Sequence, residues 1–137
     1  MMEPEGLVTI DSPMEAEATL AWLEAALKAK GVTVFARIDH TAGAAAVGLS
    51  LPATAVLIFG NAQAGTKLMQ IDQRIGIDLP LRFLVWTDEA GTTRVSYNDP
   101  AWIATRYGIE ETTASVITAM RGLLIGLANE LSKASRP

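Results

Sequence analysis

The sequence predicts an α+β domain, one antiparallel sheet with helices packed on one of its faces, in the order β-α-β-β-α-β-β-α. Three observations predict it. Two long segments with helical spacing of apolar residues lie towards the two ends of the chain. Between them stand short apolar runs, two of them joined through Asp88-Glu89-Ala90-Gly91, the composition of a hairpin loop. The length of 137 residues, half of them hydrophobic, suits a single domain over 1–137 with a core of its own. Helices that bracket hairpin-connected strands settle on one side of an antiparallel layer.

In chain order, Gly6 to Asp11 reads as a short strand. Ser12 is placed as an N-cap, Pro13 as the first helical residue and Glu15 as the third, a capping box with a proline start. The helix runs to about Lys30, with Ala16, Leu20, Leu23 and Leu27 on one face, and Gly31 ends it. From Val32 to His40 the chain alternates: Val32, Val34, Ala36 and Ile38 on one face, Thr33, Phe35, Arg37 and Asp39 on the other. Thr41 to Leu51 is an Ala-rich loop with one short helical turn. Ala53 to Phe59 is apolar almost throughout, which predicts a central strand covered on both faces. Gly60-Asn61 breaks it, and a helix follows within Gly65 to Ile75. Leu79 to Thr87 and Thr92 to Tyr97 are the hairpin strands, and Pro100 starts a short helix through Tyr107. The last helix spans about Glu110 to Ala134, with Ile117, Met120, Leu124, Leu127 and Leu131 facing the core.

Composition narrows the function. The net charge is −4 and no Lys/Arg cluster occurs, so no nucleic-acid partner is expected. There is no cysteine and only one histidine, His40, so neither a metal site nor a cofactor is expected. Met1-Met2-Glu3-Pro4-Glu5 lacks the basic-then-apolar pattern of a secretory signal. Apolar runs such as Thr54 to Phe59 fall far short of the ~20 residues that span a bilayer. A cytoplasmic protein without a membrane partner is expected.

Several segments, in their order and spacing, carry a family resemblance. They are Phe35-Ala36-Arg37-Ile38-Asp39-His40, Leu57-Ile58-Phe59-Gly60-Asn61, Gly65-Thr66-Lys67-Leu68-Met69, Leu79-Pro80-Leu81-Arg82, Ser96-Tyr97-Asn98-Asp99-Pro100 and Arg106-Tyr107-Gly108. With these, the chain resembles a bacterial family known as domain of unknown function three hundred and two. The resemblance implies a TATA-binding-protein-like α+β fold and a homodimer, and it brings no established activity and no catalytic residues. Where family members often have proline after the Gly-Asn pair, this chain has Ala62.

Two groups of residues are candidate binding positions. Arg37, Asp39 and His40 lie at the end of one strand, and histidine is the residue type best suited to acid/base catalysis near neutral pH. The competing reading is a solvated strand end. Gly60, Asn61, Thr66 and Lys67 belong to a strand–loop–helix junction that can offer backbone amides and a cation to an anion. The competing reading is a turn with Asn61 or Thr66 as helix cap. Two surfaces call for something packed on them: the first a second subunit or another part of the same chain, the second a partner or a ligand. On the last helix Ser115, Ala119, Gly122, Gly126 and Asn129 form a small, uncharged outer face. On the uncovered side of the sheet, Phe35, Arg37, Arg82, Leu84 and Trp86 mix apolar and arginine side chains. The expectation is therefore a homodimer that binds a small polar or anionic ligand. The alternative is a small enzyme with His40 as its proton carrier, and the sequence does not decide between binding and catalysis.

Overall fold

The computed structural model describes residues 3–134. Five strands, β1 (Leu7–Asp11), β2 (Thr33–Asp39), β3 (Thr54–Gly60), β4 (Leu81–Thr87) and β5 (Thr93–Asn98), form one sheet in the order β1-β5-β4-β3-β2. Every neighbouring pair is antiparallel. The long helices are α1 (Ala16–Ala29) and α5 (Ala114–Ser132). Shorter helices are α2 (His40–Ala46), α3 (Ala62–Ile71) and α4 (Pro100–Arg106), and a 3-10 segment covers Gln73–Asp78.

The alternation of strand side chains decides where the core sits. Ala55, Leu57 and Phe59 of β3 point to one side with Leu81, Phe83 and Val85 of β4 and Val95 and Tyr97 of β5, and all are buried. Leu20, Leu23 and Leu27 of α1 and Ile117, Leu124, Leu127 and Leu131 of α5 close over them in one cluster. Phe83 stacks on Phe59 with ring centroids 4.7 Å apart and meets Tyr97 edge-on at 5.8 Å. The helix faces thus follow the expected spacing, except that Ala16 and Met120 are only partly buried.

The start of α1 departs from the capping box. The helix begins at Ala16, and Glu15 sits in the cap position without a side-chain cap bond. The Ser12 hydroxyl instead accepts from the Met14 amide at 3.2 Å and meets the Thr19 hydroxyl at 2.6 Å, inside the protein. The bend between strand and helix carries Met14 into the core, where it is 4% exposed. Burying a Met side chain stabilises by ~1.5–3 kcal/mol, more than the ~1 kcal/mol typical of an N-cap, so the bend wins over the box.

A bulge corrects the faces of β2. Val34 lies opposite Phe59, and Ala36 lies opposite Ile58, so Phe35 is an extra residue. Beyond it Arg37 and Asp39 stand opposite Leu57 and Ala55, on the helix side, while Ala36 and Ile38 turn to the uncovered side. Arg37 therefore does not belong to the open face. The open face splits in two. Ile38, Val56, Ile58 and Leu84, with the exposed Arg82 opposite Ile58, form a mainly apolar half left partly exposed, so β3 is fully covered on one side only, contrary to its all-apolar pattern. Towards β1 the face turns polar: the Trp86 indole donates to the Ser96 hydroxyl at 2.9 Å, Ser96 meets Thr9 at 2.7 Å, and the Arg94 guanidinium lies 5.6 Å from the Trp86 ring centre.

By length and composition α5 is long and apolar enough to cross a membrane, unlike the short strand runs. Its leucine stripe is nevertheless spent on α1 and the sheet.

Candidate functional site

The strand-end residues are each engaged locally. The Arg37 guanidinium donates to Glu17 of α1 at 2.8 Å and to Glu24 at 3.1 Å. Those bonds hold its pKa above the ordinary arginine value, the Glu17 bond foremost. The Asp39 carboxylate caps α2 by accepting from the Ala42 amide at 2.9 Å. His40 is the exposed first residue of α2. Its neighbouring carboxylate is thus committed to a backbone amide rather than to orienting the imidazole.

The junction after β3 is a helix rather than a loop. Asn61 caps α3, its side-chain oxygen accepting from the Gln63 and Ala64 amides at 2.9 and 3.2 Å. The Gly65 amide closes the first turn on the Asn61 carbonyl at 3.0 Å. The amides expected to face an anion are therefore taken up within the helix, and Thr66 lies inside α3 rather than capping it. His40 and Gly60 stand at opposite ends of the β2–β3 pair, since Asp39 pairs with Ala55 and Thr33 with Gly60. The seven residues of β3 put roughly 20 Å between those ends. The two candidate groups do not form one site.

What the second group does line is a cleft of about 620 Å³ between α3, α5 and the end of the sheet. Its floor is Phe59, Leu81 and Pro80; Met69 comes from α3, and Val116, Ala119, Met120 and Leu123 come from α5. Gly60, Asn61, Thr66 and Lys67 are all in its walls, whereas Arg37, Asp39 and His40 are not. Lys67 is the one charged residue among those lining it. No carboxylate pairs with Lys67 among the described residues. Ser115 and Ala119 of the small-residue face line the cleft. Gly122 and Gly126 face open space, with nothing within 4 Å of where a side chain would begin.

A polar cluster braces the far side of the cleft. Tyr107 donates its hydroxyl to Asp78 at 2.6 Å, and Arg106 reaches both Asp78 oxygens at 3.1 and 2.9 Å. These bonds tie α4 to the 3-10 segment whose Gly76 contributes to the cleft wall. The Asp78 bond pushes the Tyr107 pKa upward, with smaller help from burial. Arg106-Tyr107-Gly108 is visible as a motif in the sequence, but Asp78, 28 residues before Arg106, carries no local sign of the pairing.

A family model described as "Domain of unknown function DUF302" matches residues 8–127. The chain belongs to the DUF302 family. A crystal structure of an uncharacterized conserved DUF302 protein from Bacillus stearothermophilus superposes with a TM-score of 0.83 at 19% identity, covering 93% of this chain and 99% of that one. That likeness establishes the α+β fold shared with a DUF302 protein. Among curated proteins, a fluoride-specific ion channel FluC 1 of Brucella suis biovar 1 (strain 1330) is 45% identical over 115 residues, 84% of this chain and 45% of the relative. The FluC 2 of Brucella melitensis biotype 1 (strain ATCC 23456 / CCUG 17765 / NCTC 10094 / 16M) is also 45% identical over 115 residues, 43% of its length. The chain spans less than half the length of these curated relatives.

Proposed function

We propose that this DUF302 chain is a binding module, a cytoplasmic homodimer that holds a small molecule bearing a negative group in the cleft between α3 and α5. The observation that carries the reading is the cleft itself. A concavity of about 620 Å³ falls within the ~300–1,000 Å³ of small-molecule sites, and apolar walls with few polar groups are the usual composition of such sites. Acid/base chemistry at His40 has less support, because no group is poised on the imidazole and the cleft lies at the other end of the strand pair. The curated relatives, named as fluoride channels, hold a segment like this one within less than half of their length, which supports an accessory domain working beside another unit.

The dimer reading rests on the apolar half of the open sheet face. Ile38 is 44% exposed there beside the half-buried Val56, Ile58 and Leu84, a surface whose burial favours association.

A thermal-shift screen against metabolites, nucleotides and metal ions tests the binding reading, since a ligand selective for the native state raises the melting temperature by mass action. The shift is expected to vanish in Ala119→Trp, which fills the cleft, and to persist in His40→Ala. Hits that survive Ala119→Trp and disappear in His40→Ala would transfer the function to the strand end. Light scattering at micromolar concentration is expected to give twice the chain mass, and a clean monomer rejects the dimer.

A further inference from the structure

Resting on the cleft reading, we infer that the ligand is an amphipathic monocarboxylate, an aliphatic chain lying between α3 and α5 with its carboxylate on Lys67. The argument is one of charge and surface together. The chain as a whole is acidic, with a net charge of −4, yet the single charged residue in the cleft walls is a lysine. No side-chain carboxylate of the described residues neutralises it. Among the described residues Lys30 pairs with Glu130, Arg37 with Glu17 and Glu24, Arg106 with Asp78 and Arg121 with Asp99, whereas Lys28, Lys67, Arg82 and Lys133 form no ion pair; of these four only Lys67 lines the cleft. An ammonium without an internal partner, set at the edge of an apolar groove, complements one negative group and no more.

The rest of the groove sets the shape of the molecule behind that group. Phe59 and Leu81 are core-face side chains of β3 and β4 whose ends the cleft reaches, and Val116 and Met120 continue the same apolar surface along α5. Met69 and Met120 are unbranched and adapt their rotamers to a flexible chain. A compact polyanion such as a nucleotide phosphate needs several donors; here two of the α3 amides are already bonded to Asn61 and one cation stands alone. A chain of methylenes needs none, and each one buried tightens binding by roughly threefold to fourfold. Lys67 on the exposed side of α3 can meet the carboxylate while the tail takes the apolar floor.

The test is isothermal titration calorimetry of the full chain with octanoate, decanoate and dodecanoate below their micelle concentrations, beside decanol and decyltrimethylammonium. Lys67→Met keeps the length of the side chain and removes its charge; Ala119→Trp blocks the groove. Both positions are exposed, and circular dichroism checks that each variant folds. The expected result is affinity that rises about threefold to fourfold per methylene, exceeds that of decanol and of the cation by about tenfold or more, and falls to the decanol level in Lys67→Met. Ala119→Trp is expected to abolish all of it. Equal binding of decanoate, decanol and the cation, unchanged by Lys67→Met but lost in Ala119→Trp, overturns the carboxylate and leaves the cleft as a binding site. Absence of binding by every probe overturns the inference, and if the thermal-shift screen also finds nothing sensitive to Ala119→Trp, the cleft reading falls with it.

Discussion

Replacing both Gly122 and Gly126 of α5 by alanine separates two explanations of the same helix face. Each glycine is helical, and a methyl group built on either meets nothing within 4 Å in the chain. Alanine is favoured over glycine in a helix interior by ~0.8–1 kcal/mol, so the pair is worth about 2 kcal/mol if the face is open to solvent. An unfolding entropy of about 2.1 cal/mol/K per residue makes that gain a rise in Tm of about 7 °C for a chain of 137 residues. The assay is thermal unfolding followed by circular dichroism, with the mass measured by light scattering on the same samples. With the sheet face as the interface, Tm rises and the mass is unchanged. A variant that loses half its mass shows that the small-residue face of α5, rather than the sheet, is the contact between copies. A Tm that falls or stays fixed at concentrations where the variant keeps its mass refutes the claim that this face is unoccupied.

Three further outcomes follow from the packing. Gly6 has φ +81° and its missing side chain would collide with the Trp102 ring, whereas Gly31 has φ +74° with nothing within 4 Å. Urea denaturation is expected to show Gly31→Ala losing the ~1–2 kcal/mol of left-handed strain and Gly6→Ala losing at least twice as much; equal losses would remove the ring from the explanation. Both tyrosines of the chain are held above their ordinary pKa, Tyr97 chiefly by burial and then by Asp99, Tyr107 chiefly by its bond to Asp78. The fold therefore favours the neutral phenols: their contribution is complete below the unfolded value near ~10 and is lost as pH rises through the folded values, so stability falls on the alkaline side. Ultraviolet titration of tyrosinate should develop later in the native chain than in urea, and coincident curves would contradict the assignment. Arg37→Met removes two partly exposed ion pairs with α1. Its expected cost of about 1 kcal/mol at low ionic strength shrinks at high salt, and an unchanged cost at high salt would point to packing instead.

Local chemistry made most of the scaffold legible. Leu20, Leu23 and Leu27 announce the buried face of α1 by their spacing, and Asp88 with Gly91 announces the hairpin; each signal needs only residues a few positions apart. The bulge is different. Val34, Ala36 and Ile38 keep perfect period two through Phe35, so nothing in the strand reveals that the inward and outward sets exchange there. The clue lay in another element, where Glu17 and Glu24, two helical turns apart on α1, present carboxylates to whatever cation β2 turns inward. Arg37 stays exposed, but the bulge places it on the helix side of the sheet beside those carboxylates.

The cleft shows the same limit from the opposite direction. Lys67 was legible as a cation near a strand end, but the apolar surface beside it comes from α5, whose Val116 and Ala119 lie about 50 positions later in the chain. Ser115 and Ala119 look like a seam for a second subunit because a small side chain permits close approach by anything. Here α3 stands across the cleft from them, and their smallness helps to leave a hollow there. Gly122 and Gly126, only a turn or two further along the same helix, have no such wall opposite them. One stripe of small residues thus serves two situations, and what distinguishes them is the element that faces each half. A cleft assembled from distant segments is encoded by the packing of α1, α5 and the sheet, and it becomes readable only once the core has fixed where α3 ends up.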